Sequence, residues 1–272
     1  MIVRKSLFTL GLIASFGMGV VLSLLGAGGS ILTMPILVYL FSINIIDATS
    51  YSLLMVGLTA LFGSITYFRK SLINLKVGII FGIPSILGVV VARKVLVPYV
   101  PNEFWVLGIH FTKSLVIMLL FAVLMIMSAT LMIRNRKLSF SKTKQDSELE
   151  KNVIIVLEGL IVGQLTGFVG AGGGFLIIPA LVLLTGLEMK IAIGTSLFII
   201  AIKSIIGFGS DLLSGFVTDW TFVLYVLICT LAGVIAGSIL SKKFSDNKLK
   251  KMFGYMTLLI GAYIIVEQSF FR

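Results

Sequence analysis

The sequence predicts an all-α polytopic membrane protein: two homologous halves, arranged as inverted repeats of about five helical segments each, with Gly-broken helical hairpins. Three observations predict this. Hydrophobic residues make up 58% of the 272 and charged residues 12%, against about a quarter charged in soluble domains, and the mean hydropathy is +1.14. A glycine–alanine motif in the first half recurs in the second at a fixed distance. The cations fall in loops whose charge bias reverses between the halves.

Apolar stretches of spanning length cover 7–25, 46–68, 75–92, 114–133, 153–169, 191–209, 220–241 and 253–271. They are continuous rather than alternating, which excludes a membrane β-barrel. The first follows Arg4-Lys5 and precedes small residues at 26–30, imitating a signal peptide. Its counterpart 153–169 lies mid-chain, where no cleavable signal can be, so 7–25 reads as a retained span. Two shorter apolar segments, 31–41 and 175–187, cover roughly 16–20 Å, less than the ~30 Å hydrocarbon core. Residues 7–41 and 153–187 therefore read as helical hairpins bent at buried glycines. The polar stretch 134–152 holds six Lys/Arg and reads as a basic cytoplasmic linker between a first transmembrane repeat (1–133) and a second (153–272).

The duplication is direct. Held at an offset of 144, residues 26–53 and 170–197 agree at 12 of 28 positions, where residue frequencies alone give about three. The matches include Gly26-Ala27-Gly28-Gly29 with Gly170-Ala171-Gly172-Gly173, Pro35 with Pro179, and Ser52-Leu53 with Ser196-Leu197.

Charge sets the orientation. The loop after the third helical segment carries Arg69, Lys70 and Lys76 in the first half, but Asp211 and Asp219 in the second. The next loop reverses the bias, with Arg93 and Lys94 in the first half and Lys242, Lys243, Lys248, Lys250 and Lys251 in the second. An inverted repeat produces this opposition, and it places 15 of the 22 cations inside, six outside and Lys203 within the membrane. The net charge of +11 thus follows from topology and implies no nucleic-acid partner. One cysteine, Cys229, and one histidine, His110, leave no disulfide framework and no cysteine or histidine metal site.

The candidate substrate-binding residues begin with the two breaks, Gly26, Ala27, Gly28, Gly29 and Gly170, Ala171, Gly172, Gly173. A helix starting inside the membrane points free N–H groups and partial positive charge forward. Two such ends facing each other across a pseudo-twofold axis would hold an anion without a charged side chain. Close packing is the competing role for these glycines. Ser52, Thr195 and Ser196 sit near the next helix starts and can donate to oxyanions, or bond back to their own helices. Lys203, about 12 residues into its span, is too deep to snorkel and either meets an anionic substrate or pairs with an acid such as Glu158. Glu158, in VIIVLEGLIVG, is the candidate for coupling to a proton, and an interfacial acid is its other reading.

These elements, two copies of G-A-G-G followed by Pro35-x-Leu37 or Pro179-x-Leu181 and then Ala48-x-x-x-Ser52-Leu53 or Ala192-x-x-x-Ser196-Leu197, resemble the sulfite exporter TauE/SafE family across nearly the whole chain. The first copy has Tyr51 where the family more usually has Thr, as Thr195 keeps it. The resemblance implies secondary transport of small anions, often sulfur-containing, such as sulfite, sulfoacetate and related sulfonates. The expectation is a multi-pass transporter of the cytoplasmic membrane, working by alternating access with its site between the repeats. The alternatives are a passive anion channel or a carrier of small carboxylates. No catalytic constellation, metal site, cofactor or P-loop is read from the chain. Its partners are a small anion, the bilayer and a coupling ion, proton or sodium.

Overall fold

The computed structural model describes residues 2–26, 28–106, 109–134, 148–170, 173–183 and 185–270. The first half comprises α1 (Ile2–Leu25), α2 (Gly28–Pro35) running into a π-helical turn at Ile36–Leu40, α3 (Ile45–Phe68), and α4 (Leu75–Val91). A second π-helical turn at Ala92–Leu96 leads to α5 (Val97–Tyr99), a hairpin of β1 (Glu103–Val106) and β2 (Ile109–Thr112), and α6 (Lys113–Ile133). The second half comprises α7 (Glu148–Val169), α8 (Gly174–Leu183), α9 (Met189–Leu213), α10 (Trp220–Leu240) and α11 (Asp246–Phe270).

Eight of the described helices are long and apolar enough to cross a membrane, each overlapping one of the apolar stretches read from the sequence. Their ends follow local chemistry. Asn44 caps α3 by accepting from the Ile46 amide at 3.0 Å, Asn74 caps α4 through Val77 at 3.1 Å, and Asp219 caps α10 through Thr221 and Phe222. The β-hairpin adds to the helical plan expected from the sequence. It pairs Glu103 with Thr112 and Val106 with Ile109, in a stretch of β-branched and aromatic residues too short for any spanning pattern.

Helices pair mostly between the halves. α1 lies along α10, α4 along α7, α3 along α9, and α6 along α11. Glycines bring the backbones together, as lipid-embedded helices require. A Cβ on Gly19 would overlap the Thr230 carbonyl, and one on Gly233 the Phe16 carbonyl. The α7–α4 crossing repeats this, with Gly163 on the Ser85 carbonyl and Gly88 on the Leu160 carbonyl. Gly19 and Phe16 correspond to Gly163 and Leu160 at the 144-residue offset, and Gly88 and Ser85 to Gly233 and Thr230 at 145.

The contacts also fix directions. Phe16 meets Gly233 and Val20 meets Gly237, so α1 and α10 run parallel, as do α4 and α7 through Phe81–Gly159, Ser85–Gly163 and Val89–Gly167. The repeat-equivalent pair α3 and α9 runs antiparallel. Ser50 meets Asp211, Gly57 meets Ser204, Gly63 meets Leu197 and Tyr67 meets Gly194. α6 and α11 are antiparallel too, through Ala122–Gly261 and Ala129–Gly254. The last turn of α1 reaches the last turn of α3, where the Tyr67 hydroxyl donates to the Ser23 carbonyl at 2.9 Å. α1 and α3 therefore point the same way, and α2 with its π turn is the return leg between them.

α3 and α9 are the most enclosed of the spans. The outer helices present Ile13, Ile79, Leu87, Ile235 and Leu259 outward, as lipid contact asks. α8 is held in the interior, its Phe175 ring edge-on to Phe121 at 5.3 Å and its Phe175 carbonyl accepting from Ser128 at 2.5 Å.

Candidate functional site

The site is built where α7 gives way to α8. Gly170 and Gly173 both have φ of +74°, a left-handed backbone that side-chain-bearing residues adopt only at a cost. Their surroundings add a second constraint. Gly170 lies against Thr49 and Arg93, and Gly173 against Thr166 and Lys203. A Cβ on Gly170 would stand 2.6 Å from Arg93 Nη2, and one on Gly173 would stand 2.7 Å from Lys203 Nζ. Two buried cations thus bracket the break.

Arg93 arrives there on the π-helical turn after α4, and its side chain is 3% exposed. Its Nη1 donates to Thr49 Oγ1 at 2.9 Å and lies 3.4 Å from Asp211 Oδ2. That oxygen also accepts from Ser50 Oγ at 2.6 Å. Arg93 Nε and Nη2 are buried with no hydrogen-bond partner. Lys203 is 1% exposed, and its Nζ donates to Thr166 Oγ1 at 2.8 Å. Among the described residues no carboxylate pairs with it, so Glu158 is not its partner. α8 begins immediately after Gly173, adding the positive end of its backbone dipole to the two cations.

The first break is a different environment. Gly26, with φ of +70°, packs on Ile193, the repeat counterpart of Thr49. Lys203 is replaced there by Thr59, which is wholly buried and bonded back to the Met55 carbonyl at 2.6 Å. Thr166, Ser50 and Asp211 correspond to Leu22, Gly194 and Tyr67, and Arg93 to Ser238 in the α4–α10 register. Nor do the two helix starts face each other. Thr49 and Ile193 lie near opposite ends of the antiparallel α3–α9 pair, about 18 residues or roughly 27 Å apart along it. α2 and α8 start from those opposite ends, so their N-termini point apart. The reason is the inversion of α3 against α9: breaks that precede each of two antiparallel helices fall at opposite ends.

The other sequence candidates are dispersed. Gly28 and Gly29 lie in the first turn of α2; Ala27, Ala171 and Gly172 lie outside the described residues, as does most of the 134–152 linker. Ser52, fully buried, has a hydroxyl without a partner on the Arg93 half of α3. Thr195 accepts from the Asn74 amide at 2.9 Å and Ser196 donates back to the Ile193 carbonyl at 2.8 Å, both at the far end of the pair. Glu158 Oε2 is buried without a partner on α7, about two turns before Thr166. Glu267 accepts from Tyr39 at 2.5 Å and from Gln268 at 2.8 Å.

Arg93 and Asp211 read as loop charges in the sequence, yet both are drawn into the interior. The one signal for this is that apolar sequence continues past each, through Val95-Leu96-Val97 and Leu212-Leu213. Thr49 and Thr166 carry no signal, since only packing brings them to the cations.

Residues 11–264 match the family model described as Sulfite exporter TauE/SafE. The chain is 30% identical to the probable membrane transporter protein YunE of Bacillus subtilis (strain 168), over 97% of this chain and 98% of that one. It is 28% identical to a probable membrane transporter protein of Xylella fastidiosa (strain 9a5c), over 91% and 90%. Identity is 27% to the probable membrane transporter protein MJ0441 of Methanocaldococcus jannaschii, over 96% of each. No solved structure matches the chain. With the family model covering nearly all of a multi-pass membrane chain whose described residues hold eight helices of spanning length, the protein belongs to the sulfite exporter TauE/SafE family.

Proposed function

We propose that the protein is a secondary transporter of small anions, sulfite or organosulfonates, in the cytoplasmic membrane. The anion is held beside Gly170 and Gly173, between Lys203 and Arg93. One observation carries this reading: two buried cations flank a backbone break at a helix start, and among the described residues a single carboxylate, Asp211, pairs with one of them, Arg93. Charge-assisted hydrogen bonds of this kind contribute about 1.5–3 kcal/mol each, and a low-dielectric site strengthens them.

The halves, 1–133 and 153–272, act as inverted repeats. The antiparallel α3–α9 contact between repeat-equivalent helices supports this, as does the repetition of the α1–α10 crossing in α7–α4. The end carrying Arg69, Lys70, Lys76 and Lys190 faces the cytoplasm. Alternating access arises from one half rocking on the other about the central pair. The inversion confines the polar site to one end of that pair, so the anion meets it from one face and leaves past the apolar first break. Glu158, unpartnered on the helix that leads into the break, carries the coupling proton.

The test is counterflow of labelled sulfite in proteoliposomes, competed by sulfonates, carboxylates and chloride. Competition by sulfonates that is lost in Lys203→Met supports the reading. Preferential competition by small carboxylates moves the substrate class, and fast conduction without counterflow replaces the carrier by a channel.

A further inference from the structure

The charges around the second break fix more than the sign of the ligand. Lys203 and Arg93 supply two positive charges and Asp211 removes one. Other charged groups stand apart. Lys113, also buried, opens α6, which packs chiefly on α11. Glu158 lies eight residues before Thr166, roughly 12 Å further along α7. Lys94 and Asp219 are exposed. Among the described residues, with both cations protonated, the enclosed site therefore carries a net charge of one positive.

Much of its hydrogen-bonding capacity is also unused. Arg93 Nε and Nη2 and the hydroxyls of Ser52, Ser204 and Ser210 are buried without partners. All lie between the Arg93 end and the middle of the α3–α9 pair, and Lys203 Nζ has protons beyond the one given to Thr166. Asp211, the one carboxylate, is already engaged by Arg93 and Ser50.

Resting on the transport reading above, we infer that Asp211 sets the charge selectivity, so that the site accepts a singly charged oxyanion with several acceptor oxygens and rejects a dianion of the same shape. A monoanion brings the enclosed charge to zero. A dianion leaves one uncompensated negative charge in a low-dielectric interior, where isolated charge is heavily penalised. Removing the Asp211 charge raises the site to two positive charges and makes the dianion the neutralising ligand.

The experiment is counterflow in proteoliposomes with two tetrahedral probes, labelled methanesulfonate and labelled sulfate, each competing with the other. In the wild type, methanesulfonate half-saturates at a concentration at least tenfold below sulfate. In Asp211→Asn protein that elutes as a single species, the ratio shifts towards sulfate by tenfold or more, and Asp211→Glu keeps the wild-type ratio. Sulfate equal to or better than methanesulfonate in the wild type overturns the inference while leaving anion transport standing, and needs no variant to fold. An unchanged ratio in Asp211→Asn overturns it equally. Exchange of neither anion in liposomes that exchange sulfite overturns this inference alone, and no exchange of sulfite either overturns the transport reading with it.

Discussion

The Arg93 guanidinium stands 3.4 Å from the Asp211 carboxylate, their side chains 3% and 11% exposed. The pair joins the turn after α4 to the last turns of α9. Because Asp211 also holds Ser50 and Arg93 also holds Thr49, three helices are tied at the end where the second break opens. Losing one partner leaves the other charge buried. Arg93→Gln should destabilise the detergent-solubilised protein by about 3–5 kcal/mol, and Arg93→Gln with Asp211→Asn should recover much of that. Thermal unfolding decides it: a double variant no more stable than the single would show that the pair is not coupled.

Lys203 tests the anion site most directly. Lys203→Met keeps much of the stem volume and removes the charge. Substrate affinity should fall by an order of magnitude or more, on the scale of a charge-assisted bond of about 1.5–3 kcal/mol. Half-saturation in counterflow is the readout, and an unaltered value in folded protein would sink the assignment.

Two glycines separate conformational need from open space. Gly173 combines φ of +74° with contacts to Thr166 and Lys203, whereas a methyl group added at Gly209 would meet nothing within 4 Å. Gly173→Ala should cost about 1–2 kcal/mol from the left-handed backbone alone and impair exchange. Gly209→Ala should leave both stability and exchange near wild type. Equal behaviour of the two would remove the argument for the break.

Topology is open to labelling. With Cys229 changed to Ser, single cysteines at Ser71 and Ser214, both exposed, should react with an impermeant thiol reagent from opposite faces of the membrane. Labelling from the same face would dismantle the inverted arrangement.

Glu158→Gln should abolish uptake driven by a pH gradient while leaving counterflow intact. A gradient response like that of the wild type would take the coupling role away from Glu158.

The sequence determined the class and the plan. Eight apolar runs predict membrane spans, because a chain with 12% charged residues cannot clothe itself for water, and eight of the described helices have that length and hydropathy. The repeated glycine–proline pattern located both helix breaks, since glycine adopts the left-handed backbone at Gly26, Gly170 and Gly173 at least cost. Lys203 stood out because an intramembrane cation ordinarily faces a cavity or a partner. Tertiary structure decided which break is chemically armed. Arg93 and Asp211 are far apart in the chain and adjacent to loops, and periodicity places each at a helix end, where charges ordinarily meet water. The antiparallel contact of α3 with α9 and the packing of α7 along α4 bring Arg93 to Gly170 and Asp211 to Arg93, and carry Thr166 to Lys203. Local sequence reports whether a segment prefers lipid. Which distant charges share one enclosed space follows from the directions of the packed helices, and that is a property of the assembled chain.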